Sequence, residues 1–139
     1  EIIDNFYKEI DLKEKDIFNR IGNIGIQKLK MHRDSPYVFD FLASVQLEES
    51  EEVRSLIGEK VKNIYSNGIK IIYKDIDYSK FREDVEIEKA LEILNWTMFG
   101  FGEKVIKTID TFIDSNEFGE KTLKEWEVYA DILKNCFYK

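Results

Sequence analysis

The chain has 139 residues, 43% of them hydrophobic and 14% aromatic, which is enough apolar material for one folded domain and argues against intrinsic disorder. Its formal net charge of −7 excludes nucleic-acid binding through bulk positive charge. The one cysteine rules out an internal disulfide framework, and no stretch resembles a signal peptide or a membrane span, so we expect a cytoplasmic protein without a membrane partner.

The first residues of the chain predict a helix, because Ile3, Phe6 and Tyr7 fall on one face at helical spacing. This helix starts without a capping residue. We therefore expect residues 1–9 to be the end of a helix that connects to a further domain. A removed tag or start residue is the alternative.

Three further helices are predicted from their start signals, over residues 13–33, 36–47 and 51–74. Asp11 opens a pattern that resembles a capping box for the first of them. Ser35 and Pro36 form the expected pair of cap and first helical residue for the second. Ser50 precedes two glutamates that suit the positive end of a helix dipole, which marks the start of the third.

The second half of the chain predicts, in order, a polar connector over 75–84, a helix over 85–114, a loop that contains Asn116 and Gly119, and a last helix over 122–137. Asp77 or Ser79 is placed to cap a short turn in the connector. Asp84 is placed to cap the first of the two long helices, and Thr122 opens a box-like pattern for the second.

These last two helices are apolar over most of their circumference, which one small core cannot cover. The uncovered side predicts a homodimer. The alternative is that both helices lie at the centre of a monomer. The expected interface residues are Leu94, Met98, Phe101, Val105, Phe112, Leu123, Trp126, Ala130, Leu133 and Phe137.

Six of the seven glycines fall inside predicted helices, namely Gly22, Gly25, Gly58, Gly68, Gly100 and Gly102. Each costs roughly 1 kcal/mol relative to alanine in a helix interior. Either helix backbones approach closely at these positions, or the missing side chains leave room for a ligand beside aromatic walls. The second explanation predicts a pocket for an apolar small molecule, lined by Phe18, Ile21, Gly25, Phe39, Leu42, Tyr65, Gly68, Ile69, Trp96, Phe99 and Gly100.

Several kinds of chemistry have no residues to support them. One histidine and one cysteine cannot form a zinc site or the paired Glu-x-x-His motifs of a di-iron bundle. The sequence has no phosphate-binding glycine loop and no nucleophile elbow, and its carboxylates follow polar helix stripes. We therefore expect neither an enzyme nor a protein that carries a metal or cofactor.

Five segments resemble, in order and spacing, the C-terminal domains of TetR-type bacterial transcription regulators: Asp16–Ile21 with Lys28, Phe39–Leu42 with Glu49–Val53, Asp77–Asp84, Trp96–Gly102 and Leu133–Lys139. The resemblance covers nearly the whole chain. It implies an all-α antiparallel bundle of about five to six helices. It also implies a homodimer in which the last two long helices form a four-helix bundle with those of a second copy.

The resemblance implies a function as well. In this family an N-terminal helix-turn-helix head binds a palindromic operator, and a small molecule in the C-terminal domain changes the spacing of the two heads. No such head is present here. The resemblance therefore makes residues 1–139 the effector-sensing and dimerisation domain of a regulator, in the usual case a repressor, which binds DNA only through that head. The alternative is an all-helical protein–protein interaction module without a small-molecule ligand.

Overall fold

The computed structural model of the protein describes residues 2–35, 37, 38, 41, 44, 49–108 and 115–139. These residues are organised as helices, which confirms the predicted all-α class, and the extended pairing among them is an isolated antiparallel bridge between Phe81 and Tyr138. The helices are α1 (Ile2–Lys8), α2 (Ile17–Asp34), α3 (Glu51–Ile72), α4 (Ile87–Thr108) and α5 (Ser115–Phe137).

The chain divides into two compact units. The first, Glu1–Ile76, contains α1, α2 and α3, and the second, Asp77–Lys139, contains α4 and α5. The predicted helix over 36–47 belongs to the first unit. Its positions 37, 38, 41 and 44 are helical, and its other residues lie outside those that the structure describes.

The start of α2 is set by Asp16 rather than by Asp11. The Oδ1 atom of Asp16 accepts hydrogen bonds from the backbone N–H groups two and three residues further on, at 2.9 and 3.1 Å, as a helix cap does. Asp11 closes a turn instead and accepts from the N–H of Lys13 at 2.9 Å. The predicted start near residue 13 is therefore wrong, and α2 begins at Ile17.

The boundaries of α3 and α5 give one confirmed prediction and one correction. The Oγ atom of Ser50 accepts from the N–H three residues further on at 3.4 Å, so this predicted cap is confirmed. The helix α5 begins at Ser115, earlier than predicted, and Gly119 lies inside it rather than in a loop. The early start adds a buried ring to the helix face, because Phe118 precedes Trp126 by about two turns.

The connector before α4 also differs in part from its prediction. Asp77 closes a turn as predicted, accepting from the N–H of Ser79 at 2.9 Å. Asp84 does not cap α4, which begins at Ile87. Its carboxylate instead binds Arg82, with 2.6 Å between Oδ2 and Nη2, and this hydrogen bond lowers the pKa of Asp84 from its ordinary value.

The core of the first unit joins α1 to α2. Phe6 and Ile10, from α1 and the turn after it, pack with Ile24 of α2. Partly buried apolar side chains close around these three, namely Tyr7, Leu12, Met31, Ile71 and Ile72. Gln27 of α2 donates from Nε2 to the carbonyl oxygen of Phe6 at 2.7 Å. α1 is therefore fixed to α2 by apolar contact and by a hydrogen bond to its backbone.

Arg20 of α2 is 1% exposed, and its guanidinium donates to backbone carbonyl groups on both sides. Nη1 donates to Ile72 at 2.9 Å and to Lys74, at the end of α3. Nε and Nη2 donate to Glu14 at 2.9 and 2.6 Å, and Nη2 also donates to Leu12 at 3.2 Å. Carbonyl groups at a helix C-terminus lack intrahelical partners and carry partial negative charge, so a buried cation satisfies and stabilises them.

An aromatic cluster joins the connector to the end of α5 in the second unit. The ring of Phe81 stacks on Phe137, with 6.2 Å between centroids, and meets Tyr138 edge-on at 5.1 Å. The N–H of Arg82 donates to the carbonyl of Phe137 at 2.8 Å, and its Nη1 donates to the carbonyl of Cys136 at 3.1 Å. The orphan carbonyl groups at the end of α5 are thus satisfied by the connector.

Replacing Arg20 by lysine tests how much the first unit depends on this guanidinium. A single ammonium group cannot reach the acceptors on both sides, so buried carbonyl groups lose their partners, at an expected cost of roughly 3 kcal/mol in the free energy of unfolding. Urea denaturation followed by circular dichroism measures this cost. Arg54→Lys, on the exposed side of α3, is the control and should change stability by less than about 0.5 kcal/mol. Equal stabilities of the two variants would contradict the role given to Arg20.

Candidate functional site

The helices α4 and α5 form an antiparallel hairpin. The ring of Phe101 lies 5.6 Å from that of Trp126 and 5.8 Å from that of Tyr129, measured between centroids. One turn further along α4, the Nζ atom of Lys104 lies 2.6 Å from Oε1 of Glu125. Residue numbers fall on α5 as they rise on α4, so the two helices run in opposite directions and these contacts define which sides of them meet.

The hairpin has a buried line that uses residues predicted for the dimer interface. Leu94 is 1% exposed, and Trp126 and Phe137 are also buried, so these three lie in the core of their own unit. Six other predicted interface residues are half-buried, namely Met98, Phe101, Val105, Leu123, Ala130 and Leu133. Phe112 lies outside the described residues. The residues predicted for the dimer interface therefore largely form the seam between α4 and α5.

A second apolar line on each helix remains exposed. On α4 it consists of Ile93, Trp96 and Gly100, with Trp96 68% exposed. On α5 it consists of Val128, Tyr129 and Ile132, with Ile132 57% exposed. We call these six residues the open face. Phe99, which is also exposed, lies about 100° away from Gly100 around α4 and is not included.

The two halves of the open face lie on the same side of the hairpin. Ile93 and Gly100 belong to the helix stripe that ends at Lys104, since residues seven and four apart share a side. Tyr129 and Ile132 belong to the stripe that begins at Glu125. Because Lys104 touches Glu125, the two stripes are neighbours across the hairpin. Ile93 and Gly100 of α4 and Tyr129 and Ile132 of α5 therefore lie on one side of the hairpin, and Trp96 and Val128 lie beside them on their own helices.

Charged side chains border the open face. Lys104 and Glu125 form an ion pair at one end, and the hydrogen bond that Lys104 donates to Glu125 raises the pKa of Lys104 from its ordinary value. Lys89 and Glu92 form a second exposed pair one to two turns before Trp96, with 3.2 Å between Nζ and Oε2. Glu103, one turn after Gly100, is also exposed. The surface thus combines exposed apolar side chains with charges at its border.

The predicted pocket residues are divided between the two units. In the first unit Phe18, Ile21 and Gly68 are buried, while Gly25, Tyr65 and Ile69 are half-buried. In the second unit Trp96, Phe99 and Gly100 are exposed. Phe39 and Leu42 lie outside the described residues. A ligand pocket among these residues therefore stays a prediction.

Gly68 is explained by close helix packing and not by room for a ligand. A Cβ atom placed on Gly68 would overlap the ring of Tyr7, so the two helices approach at this point as only glycine allows. Tyr7 meets Phe6 edge-on, with 5.4 Å between ring centroids. Burial raises the pKa values of both Tyr7 and Tyr65, and the charge of Tyr65 contributes to the shift of Tyr7, so both hydroxyls are neutral at physiological pH.

An open groove of about 330 Å³ runs along the outer side of α2. It is lined by Glu9, Asn23, Ile26, Gln27 and Lys30, none of which the sequence pattern assigns to the pocket. Within the described parts of the chain, no cluster of three or more His, Cys, Asp or Glu side chains is placed to hold a metal ion. No helix in these parts is long and apolar enough to cross a membrane.

No protein-family model, curated protein or solved structure gives a significant match to this chain. The resemblance to TetR-type regulators therefore stays a prediction from sequence. The open face and the contact between Tyr7 and Gly68 are the two structural features that bear on function.

Alanine at Gly68 tests the close approach of α1 and α3. The added methyl group must displace the Tyr7 ring or the backbone, so we expect a loss of roughly 1–3 kcal/mol in the free energy of unfolding. Gly58→Ala is the matched control in the same helix, because no atom lies within 4 Å of its Cβ position. It should stabilise the protein by about 0.5–1 kcal/mol through helix propensity. Thermal unfolding of both variants gives the comparison, and a stabilised Gly68→Ala variant would contradict the contact.

Proposed function

We propose that this chain is the effector-sensing and homodimerisation domain of a TetR-type transcription regulator, in the usual case a repressor. The open face is the observation that carries the proposal. Two copies would pair through α4 and α5 in a four-helix bundle, and DNA would be bound by a helix-turn-helix head joined to α1. The localisation that goes with this function is the cytoplasm, and no catalysis is assigned to the domain.

The size of the open face supports pairing with a second copy. Its exposed apolar side chains amount to on the order of 500 Å² per copy, judged from their exposed fractions and the 150–250 Å² that a large aromatic side chain can bury. A standard interface takes about 800 Å² from each partner. The open face therefore supplies more than half of one such interface.

The first unit offers a route from a bound ligand to the head. Arg20 ties α2 to the end of α3, and Tyr7 ties α1 to the middle of α3 at Gly68. A ligand that moves α2 or α3 would therefore also move α1, which would lead to the head. For such a ligand to switch DNA binding, it must bind the two arrangements of these helices with different affinities.

An all-helical interaction module without a small-molecule ligand is the second candidate. One observation favours it, since the space at Gly68 is filled by the protein's own Tyr7 and is not available to a ligand. Both candidates use the open face. They differ in whether the first unit binds a small molecule.

Introducing a charge into the open face tests the dimer. The wild-type chain should sediment as a dimer at 1–100 µM, and Ile132→Glu should raise the dissociation constant at least 100-fold, because the glutamate would be buried against its own copy. Ile26→Glu is the matched control, since Ile26 is an equally exposed isoleucine on α2 of the first unit. A monomeric wild type, or a dimeric Ile132→Glu variant, would refute the proposed interface.

A thermal-shift screen with small lipophilic compounds tests the sensing role. A ligand present at about 100 times its dissociation constant stabilises the folded state by about 2.7 kcal/mol, which corresponds to a rise of several degrees in Tm. Polar compounds of equal size are the control and should give no shift. If a broad lipophilic set produces no shift, the interaction module becomes the better proposal.

A further inference from the structure

Trp96 and Gly100 form an unusual pair on the open face. They lie one helical turn apart on α4, so they share one side of it. Trp96 is 68% exposed, and apart from the adjacent backbone of α4 no atom of the described residues lies within 4 Å of the Cβ position of Gly100. The open face thus has its most exposed side chain directly beside a position that has no side chain.

A glycine in the middle of a helix destabilises the helix by roughly 1 kcal/mol relative to alanine. The presence of Gly100 therefore needs an explanation. At Gly68 the explanation is a ring of the same chain, but at Gly100 the described part of the chain places nothing in the space. A tryptophan left in water also exposes a large apolar area. Each residue lacks what the other provides, and within one chain no side-chain atom of Trp96 lies within 4 Å of the Cβ position of Gly100.

We propose that the α4 helices of two copies cross at this point, with the indole of Trp96 from each copy seated on the backbone at Gly100 of the other. This arrangement rests on the homodimer proposed above and specifies how its two copies meet. A two-fold axis makes the pairing reciprocal, because the contact of Trp96 with the second copy's Gly100 is repeated as Gly100 with the second copy's Trp96. The axis would pass midway between the two positions along α4.

Thr97, three residues before Gly100, borders this crossing point and is suited to burial. Its Oγ1 donates to the carbonyl oxygen of Ile93 in its own helix at 2.8 Å, so no hydroxyl donor is left unpaired there. Ile93 itself adds apolar surface on the same side. The nearest ion pairs lie at the ends of the open face, about one to two turns away. An aromatic anchor in an apolar centre with charges at the rim is typical of interface hot spots.

A different dimer geometry provides the alternative. If α4 of one copy lay on α5 of the other, Trp96 would meet the second copy's Ile132 or Val128, and Gly100 would have no partner. The two geometries predict different couplings between substitutions at positions 96 and 100. A double-mutant cycle on the dimer dissociation constant therefore separates them.

The cycle compares the 139-residue chain with its variants Trp96→Ala, Gly100→Leu and the double variant by sedimentation equilibrium. Each single change should raise the dissociation constant at least 10-fold. Trp96→Ala removes the protruding ring, and Gly100→Leu fills the space in which the second copy's ring would lie. The double variant should bind more tightly than Gly100→Leu alone, since leucine then fills the space left by tryptophan. Gly100→Ala repeats the test with a smaller change, and Gly58→Leu controls for the effect of leucine in an open helix position. Thermal unfolding of each variant confirms that it is folded.

The outcomes separate the crossing from the dimer itself. Positive coupling between positions 96 and 100, with Gly58→Leu unchanged in its dissociation constant, supports the crossing. A dimeric wild type in which Gly100→Leu has no effect, or in which the two changes are simply additive, overturns the crossing and leaves the dimer in place. A wild-type chain that stays monomeric at 100 µM overturns the dimer and the crossing together.

Discussion

The buried guanidinium of Arg20 is the interaction on which the first unit depends. Its acceptors include main-chain carbonyl groups of Ile72, Lys74, Glu14 and Leu12, so it links the backbone before α2 to the backbone at the end of α3. Burying a cation destabilises a fold unless its N–H donors are hydrogen-bonded. Here the N–H groups of the guanidinium donate to residues 12 and 14 on one side and to residues 72 and 74 on the other. Once the end of α3 is held in this way, the positions of Ile71 and Ile72 in the core and the approach of Gly68 to Tyr7 follow from it.

The second unit is a hairpin of two very apolar helices. One apolar line of each helix is used internally, as Leu94, Trp126 and Phe137 show, and the connector closes the far end through the ring of Phe81. The other line is left uncovered. A two-helix layer can bury only one side of each helix by itself, and the exposed side is then available to a further layer.

The sequence predicts much of this structure but not the choice between its two apolar lines. Helical periodicity and the cap at Ser50 are local signals, and the helices they predict are present. Both lines on α4 have helical spacing, so the pattern alone cannot tell which one faces α5. The predicted start of α2 is too early because Asp11 and Asp16 both accept local backbone hydrogen bonds, and only Asp16 caps the helix. The partner of Gly68 is not a local signal, because Tyr7 is distant in sequence.

The placement of the two tryptophans gives this chain two separate optical reporters. Trp126 is buried against Phe101 in the seam of the hairpin, whereas Trp96 stands in solvent on the open face. The emission of an indole shifts to shorter wavelength as water is removed from around it, so the first ring responds to unfolding and the second to anything that settles on its surface. With phenylalanine in place of Trp126, the fluorescence of the remaining indole would follow coverage of the open face directly, without a label.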